Sequence, residues 1–156
     1  MLNEEDHIHL QVMRPGLALE EAYKLADDID TLLDDNLNYA FDEKIGYLTA
    51  LPTNLGTAMR ASVILHLPAL TATNQITSLA NNISKLGLSI TGAYGNRRQP
   101  AGDIYQISNQ ITLGITEETA IANLKSIVMQ LVTREKAVAE KEIAKPSTED
   151  KIYRSL

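Results

Sequence analysis

The sequence has no cysteine and no tryptophan, and only one phenylalanine, Phe41, among 156 residues. Without cysteine there is no disulfide, no thiolate nucleophile and no cysteine-ligated zinc, and the redox compartment leaves no mark. So few aromatic rings exclude a stacking platform for single-stranded nucleic acid and require an aliphatic core. Positive charge is also short. Lys and Arg number 14 against 20 Asp and Glu, for a net charge of −6 and a pI near 5.0. That balance argues against sequence-independent binding to nucleic acid or anionic membrane, and any phosphate site must be local. No run of about 20 apolar residues occurs, and the acidic start Asn3, Glu4, Glu5, Asp6 is the opposite of a secretory leader, so the expected location is cytoplasmic. What remains is 44% hydrophobic and 22% charged, the balance of a folded domain, and the length suits one domain at roughly 100–200 residues each.

Apolar residues alternate as Ile8, Leu10 and Val12, which predicts a strand over residues 7–13, broken by Arg14, Pro15 and Gly16. Residues 17–35 carry Leu19, Ala22, Ile29 and Leu32 at helical spacing, with Glu20, Glu21, Asp27, Asp28, Asp34 and Asp35 on the other side, an acidic amphipathic helix. Two short β-prone runs, 39–41 and 47–50, predict a hairpin, and a turn-rich loop follows over 52–57. Residues 59–67 read as a strand ended by Pro68. Leu70, Ile76, Leu79, Ile83 and Leu86 then mark a second helix, with Gly87 as its cap. A short strand at 88–90, a loop over 91–102 and a strand at 104–111 complete the sheet. Thr116 is the expected N-cap of a third helix, with Glu117 and Glu118 at its positive end. The expected architecture is α+β, an antiparallel sheet flanked by about three helices, with a domain over 1–140 and a linker or frayed tail over 141–156.

Three segments carry candidate chemistry. Glu4, Glu5 and Asp6 with His7 form an acidic cluster ahead of the first strand, able to hold a cation, supply a general base, or be merely solvated. The loop over 52–57 leads into Arg60 and Ser62, whose guanidinium and hydroxyl suit an anion, although an ordinary turn has the same composition. The stretch from Thr91 through Gly92, Gly95 and Asn96 to Arg97 and Arg98 fits a phosphate-closing loop or a plain exposed one. His7, His9 and His66 would make a metal site only if three strands converged, and no metal site is assigned. Hydrolase-elbow, zincin and dinucleotide motifs are absent.

Taken together, LNEEDH (2–7), LPTNLGTAMRASV (51–63) and GDIYQISNQITLG (102–114) resemble the ATP:guanido phosphotransferase, or phosphagen kinase, family. EEDHIHLQ, YAFDEKIGYLTA and LHLPAL resemble its bacterial protein-arginine kinase branch most. The resemblance covers nearly the whole chain and implies the C-terminal part of a catalytic domain that uses ATP with Mg2+ to phosphorylate arginine side chains in proteins. It implies Glu5 as the catalytic carboxylate, flanked by Glu4 and Asp6, with Arg60 on phosphate and Ala61, Ser62, Val63 and Ile64 passing the nucleotide. Other positions depart from the family pattern. His9 stands where the family has an arginine, Leu51 where it has a cysteine, Thr91 where it has an arginine and Asn96 where it has a glutamate. Gly92 and Gly95 keep that loop's glycines, and Arg97 or Arg98 is the nearest replacement cation. The family's upstream S-x-R-x-R segment is absent, so the chain is expected to be a truncated domain.

One arginine at a phosphoryl-transfer transition state is worth about 10³–10⁵ in rate. The expectation is therefore a protein-arginine-kinase-like domain, weak or inactive alone. The alternatives are a pseudokinase or arginine-binding module, or half of a split kinase. The implied partners are an arginine-containing protein substrate or adaptor, and a second copy or complementing chain.

Overall fold

The computed structural model describes residues 6–93, 95–96 and 99–144, of which 95, 96 and 99–101 by backbone alone. Its centre is a three-stranded antiparallel sheet of β3 (Ser62–His66), β7 (Ile104–Asn109) and β4 (Leu88–Gly92), with β7 in the middle. Register pairs Val63 with Ile107 and Leu65 with Tyr105 on one side, and Ile90 with Ile107 on the other. Alternation along β7 therefore sends Tyr105, Ile107 and Asn109 to one face, where all three are buried.

Helices cover that face. The longest, α4 (Glu117–Ile143), spans 27 residues, about 40 Å at 1.5 Å per residue. Its buried stripe of Ala120, Ile121, Leu124, Val128 and Leu131 follows helical spacing and packs on β7 and on α2 (Pro68–Ala72). As its sequence predicts, Thr116 caps it, Oγ1 accepting from the Thr119 amide at 3.3 Å. Leu67, Leu70, Ile107, Leu124 and Val128 are fully buried, each contributing about 1.5–3 kcal/mol by leaving water. The core is aliphatic, with Tyr105 as its buried ring; that hydroxyl meets Thr71 Oγ1 at 3.0 Å.

The second helix expected from the sequence is two. α2 and α3 (Ile76–Ser84) are separated at Asn74, whose φ of +55° ends the first, a conformation asparagine tolerates better than most residues. Gly87 takes the left-handed geometry of its expected capping role, with φ +75°. α1 (Leu19–Asp34) has no fully buried residue and is linked to α4 by an ion pair between Glu20 and Lys125. That ammonium's hydrogen bond holds the Glu20 carboxyl below its usual range. The hairpin is β1 (Phe41–Asp42) and β2 (Gly46–Tyr47), its turn closed by Asp42 Oδ1, which accepts from the Lys44 and Ile45 amides.

Two expectations are corrected. Residues 7–13 form no strand: Ile8 makes an isolated bridge only, and Leu10 and Met13 are 37% and 76% exposed. Alternation needs a neighbouring strand to become a ladder, and none lies beside this segment among the described residues. The stretch 91–102 is not one loop. Thr91 and Gly92 end β4, paired with Gln106 and Tyr105, and β5 (Gly95–Asn96) pairs with β6 (Gln99–Pro100). α4 runs to Ile143, and residues 145–156 of the expected tail lie outside the described residues.

Candidate active site

The sheet face opposite the helices is polar and open among the described residues. Ser62, Ser108 and Ser89 form one row across the three strands, with Ser89 Oγ and Ser108 Oγ 3.0 Å apart. Ile64, Gln106 and Thr91 form the next, with Ile64 52% exposed and Thr91 exposed. His66, also exposed, lies beyond, opposite Ile104. Arg60 is exposed at the entry to β3, one residue before the alternation in which Ala61, Val63 and Leu65 pack toward the core. The structure thus brings Arg60, Ser62, Ile64 and Thr91 to one surface. Ala61 and Val63 turn their side chains away from it, so only their backbone is left to face a ligand.

The loop before Arg60 is held from two directions. Asp6 Oδ1 accepts from the Ala50 amide at 2.8 Å, and Asp6 Oδ2 accepts from Asn54 Nδ2 at 3.0 Å. On the other side Thr112, 5% exposed, donates from Oγ1 to the carbonyls of Leu55 at 2.7 Å and Thr53 at 3.0 Å. Its own carbonyl accepts from the Thr57 amide at 3.0 Å. Asn109, 4% exposed, donates from Nδ2 to the Met59 and Ile111 carbonyls, both at 3.1 Å, and accepts at Oδ1 from the Ala61 amide at 2.7 Å. Glycines allow the layers to approach. A Cβ on Gly56, at φ +100°, would strike the Thr112 carbonyl oxygen, and one on Gly46, at φ +89°, would lie 2.5 Å from the Gly56 carbonyl oxygen.

Segments separate in sequence therefore form one unit: the acidic cluster through Asp6, the 50–57 loop, the entry to β3, and the end of β7. Asn109 and Thr112 escaped the sequence reading. The signal was present, because Asn109 continues the core-facing alternation of Tyr105 and Ile107 as a polar residue at a buried position, which demands satisfied hydrogen bonds.

Glu4 and Glu5 lie outside the described residues, as do Arg97 and Arg98. Gly95 and Asn96 are placed by backbone alone, opposite Pro100 and Gln99. His9 is exposed, as is His7. Among the described residues no three His, Asp or Glu side chains gather as metal ligands. No helix among them is long and apolar enough to cross a membrane.

The chain is thus an α+β domain whose antiparallel sheet has helices on one face and, on the other, an open face with Arg60 exposed at its entry. Residues 1–138 match the model for "ATP:guanido phosphotransferase, C-terminal catalytic domain", and the chain belongs to that family. It is 50% identical over 158 residues to a protein-arginine kinase of Clostridium tetani, and 52% identical to one of Clostridium acetobutylicum, in each case over 100% of this chain and 46% of the relative. The chain thus spans about half the length of the curated relatives it matches. Among solved structures, the duplicated taurocyamine kinase of Schistosoma mansoni with bound transition-state-analogue components superposes with a TM-score of 0.80 at 34% identity, over 94% of this chain and 20% of that one.

Proposed function

We propose that residues 1–140 are a phosphoryl-transfer domain acting on the guanidinium of arginine in a protein, with Glu5 as base and clamp and Arg60 on the phosphates. What supports this most is the tether of Asp6 to the loop that leads to Arg60, which ties the acidic cluster to the cationic end of the open face.

In this reaction a guanidinium nitrogen attacks the γ-phosphorus of ATP. The N–P bond forms as the bond from that phosphorus to the bridging oxygen of ADP breaks, and the guanidinium proton passes to a carboxylate. A guanidinium with a pKa above about 12 is a poor nucleophile until a carboxylate fixes its plane and takes that proton. Glu5 fills this role in the proposal, with Glu4 beside it. Asp6 has both oxygens engaged by Ala50 and Asn54, so it is a positioning residue for its neighbours. Arg60 supplies fixed positive charge where the transferring group spreads its negative charge. Mg2+ bound with ATP would neutralise phosphate charge. It needs no dedicated protein cage, since it is ordinarily held by one or two carboxylates together with the phosphates themselves.

Thr91 and Asn96 bring no charge where the family pattern has an arginine and a glutamate, so the isolated chain is a weak kinase, or a module that binds arginine without phosphorylating it. A cytoplasmic setting belongs to the same proposal.

Incubation with MgATP and an arginine-rich protein, followed by phosphoarginine detection, tests the reading. Transfer that is lost in Glu5→Gln and Arg60→Ala supports it, and transfer that survives Glu5→Gln overturns the base assignment. No transfer, with arginine-peptide affinity that disappears when Glu4 and Glu5 are neutralised, selects the binding module.

A further inference from the structure

Asn109 touches the backbone on both sides of Arg60: its Nδ2 donates to the carbonyl of Met59 and its Oδ1 accepts from the amide of Ala61. The Asn109 amide donates in turn to the Ala61 carbonyl at 3.2 Å. The carboxamide cannot be reversed, because that would set its oxygen against the Met59 and Ile111 carbonyl oxygens. Arg60 itself lies outside the regular ladder, which pairs β3 with β7 only from Ser62 onward. The backbone on both sides of Arg60 is therefore held from one residue of the neighbouring strand, by the Asn109 side chain at Met59 and Ala61 and by its backbone amide at Ala61.

We propose that Asn109 is the positioning residue for Arg60, fixing the approach of its guanidinium to an anionic group on the open face. This rests on the reading of Arg60 as a phosphate contact. A residue that merely closed the end of β7 would affect stability alone, whereas one that aims Arg60 affects phosphate binding only while Arg60 is present.

A double-mutant cycle separates the two. MgATP affinity and thermal stability are measured on the full chain, on Asn109→Asp, on Arg60→Ala and on the double variant. Asn109→Asp keeps the shape and the acceptor for Ala61 but turns a carboxylate oxygen toward two carbonyls. The expected result is an affinity loss of about tenfold in the Arg60 background and none in Arg60→Ala, with the same fall in melting temperature in both. Equal fold-losses in the two backgrounds, or no loss in either, overturn the proposal. Should Asn109→Asp fail to fold, Asn109→Ser makes the same comparison with a smaller side chain.

Amide hydrogen exchange needs no nucleotide and judges the bracket separately. In Asn109→Ala, which removes the acceptor, exchange at Ala61 is expected to accelerate while Leu65, inside β3, keeps its rate. An unchanged rate at Ala61 overturns the bracket. Accelerated rates in a chain that binds no MgATP support the bracket and overturn instead the reading of Arg60 as a phosphate contact.

Discussion

Asp6 and Asn54, 48 positions apart, are joined through Asn54 Nδ2 donating to Asp6 Oδ2 at 3.0 Å, while the other carboxylate oxygen accepts from the Ala50 amide. Both acceptors come from one side chain, so its removal releases two donors at once. Asp6→Ala is expected to cost about 1–3 kcal/mol, as for hydrogen bonds to a charged group, with a lower urea midpoint and an unchanged slope. Asp6→Asn should lie between, since its amide presents one acceptor and a donor facing a donor. A midpoint for Asp6→Ala equal to that of the unaltered chain would remove the tether from the site.

Glu135 makes a comparable junction on the helical side. Its two oxygens accept from the Ala69 amide at 2.7 Å and the Leu70 amide at 2.9 Å, capping the first turn of α2 from α4. Glu135→Ala should destabilise by about 1–3 kcal/mol, since two part-buried donors lose their partner. Glu135→Gln should lose less, because it retains one acceptor. Chemical denaturation decides this, and equal stability of all three proteins would contradict it.

Gly56 takes a backbone shape that a side chain strains, at φ +100°, with the Thr112 carbonyl directly where a Cβ would be. Gly56→Ala combines a left-handed penalty with overpacking and is expected to lose at least about 2 kcal/mol. By contrast Gly114, at φ +75° but with nothing within 4 Å, should lose less on the same change. Similar melting temperatures for the two variants would show that the layers can separate without cost.

Tyr39 and Tyr47 both donate to Asp30, at 3.2 and 3.4 Å. Burial, reinforced by that carboxylate, pushes Tyr39 from 10.0 up to about 12, and burial raises Tyr47 in the same direction. A folded value above the unfolded one means the stability contribution is fully present below about pH 10 and is lost as pH rises through about 12. Stability should therefore be insensitive to this pair up to about pH 10 and fall above it, and Asp30→Asn should move the late tyrosinate transition downward. If ultraviolet titration shows no tyrosine transition above about pH 10 that Asp30→Asn moves downward, the Asp30 bridge does not act as described.

Local pattern announced much of this fold. The alternation of Val63 and Leu65 against Tyr105 and Ile107, the capping Thr116 and the left-handed Gly87 were all legible, because each depends on neighbours in sequence. Asn74 was not, since a helical apolar pattern continues through it and only its φ interrupts the helix. The failed strand at Ile8, Leu10 and Val12 shows the opposite limit: the period was right and the partner strand is missing among the described residues. Within the site, the chemistry of Asp6 and Arg60 was visible as residue type. What Asn109 and Thr112 do was not, because it is expressed entirely through backbone groups about fifty positions away.

Those separations bear on when the site appears. Asn109 reaches back 50 positions to Met59 and 48 to Ala61, and Thr112 reaches 59 to Thr53 and 57 to Leu55. Closing chain segments of that length must precede the bonds that reward it. The β1 and β2 hairpin and the helical turns need no such closure and can form early. Residues 51–63 leave the ribosome well before Asn109 is made, and they acquire their arrangement only when β7 enters between β3 and β4. A chain interrupted before β7 would therefore contain the whole of residues 51–63 without the Asn109 and Thr112 side chains that hold them.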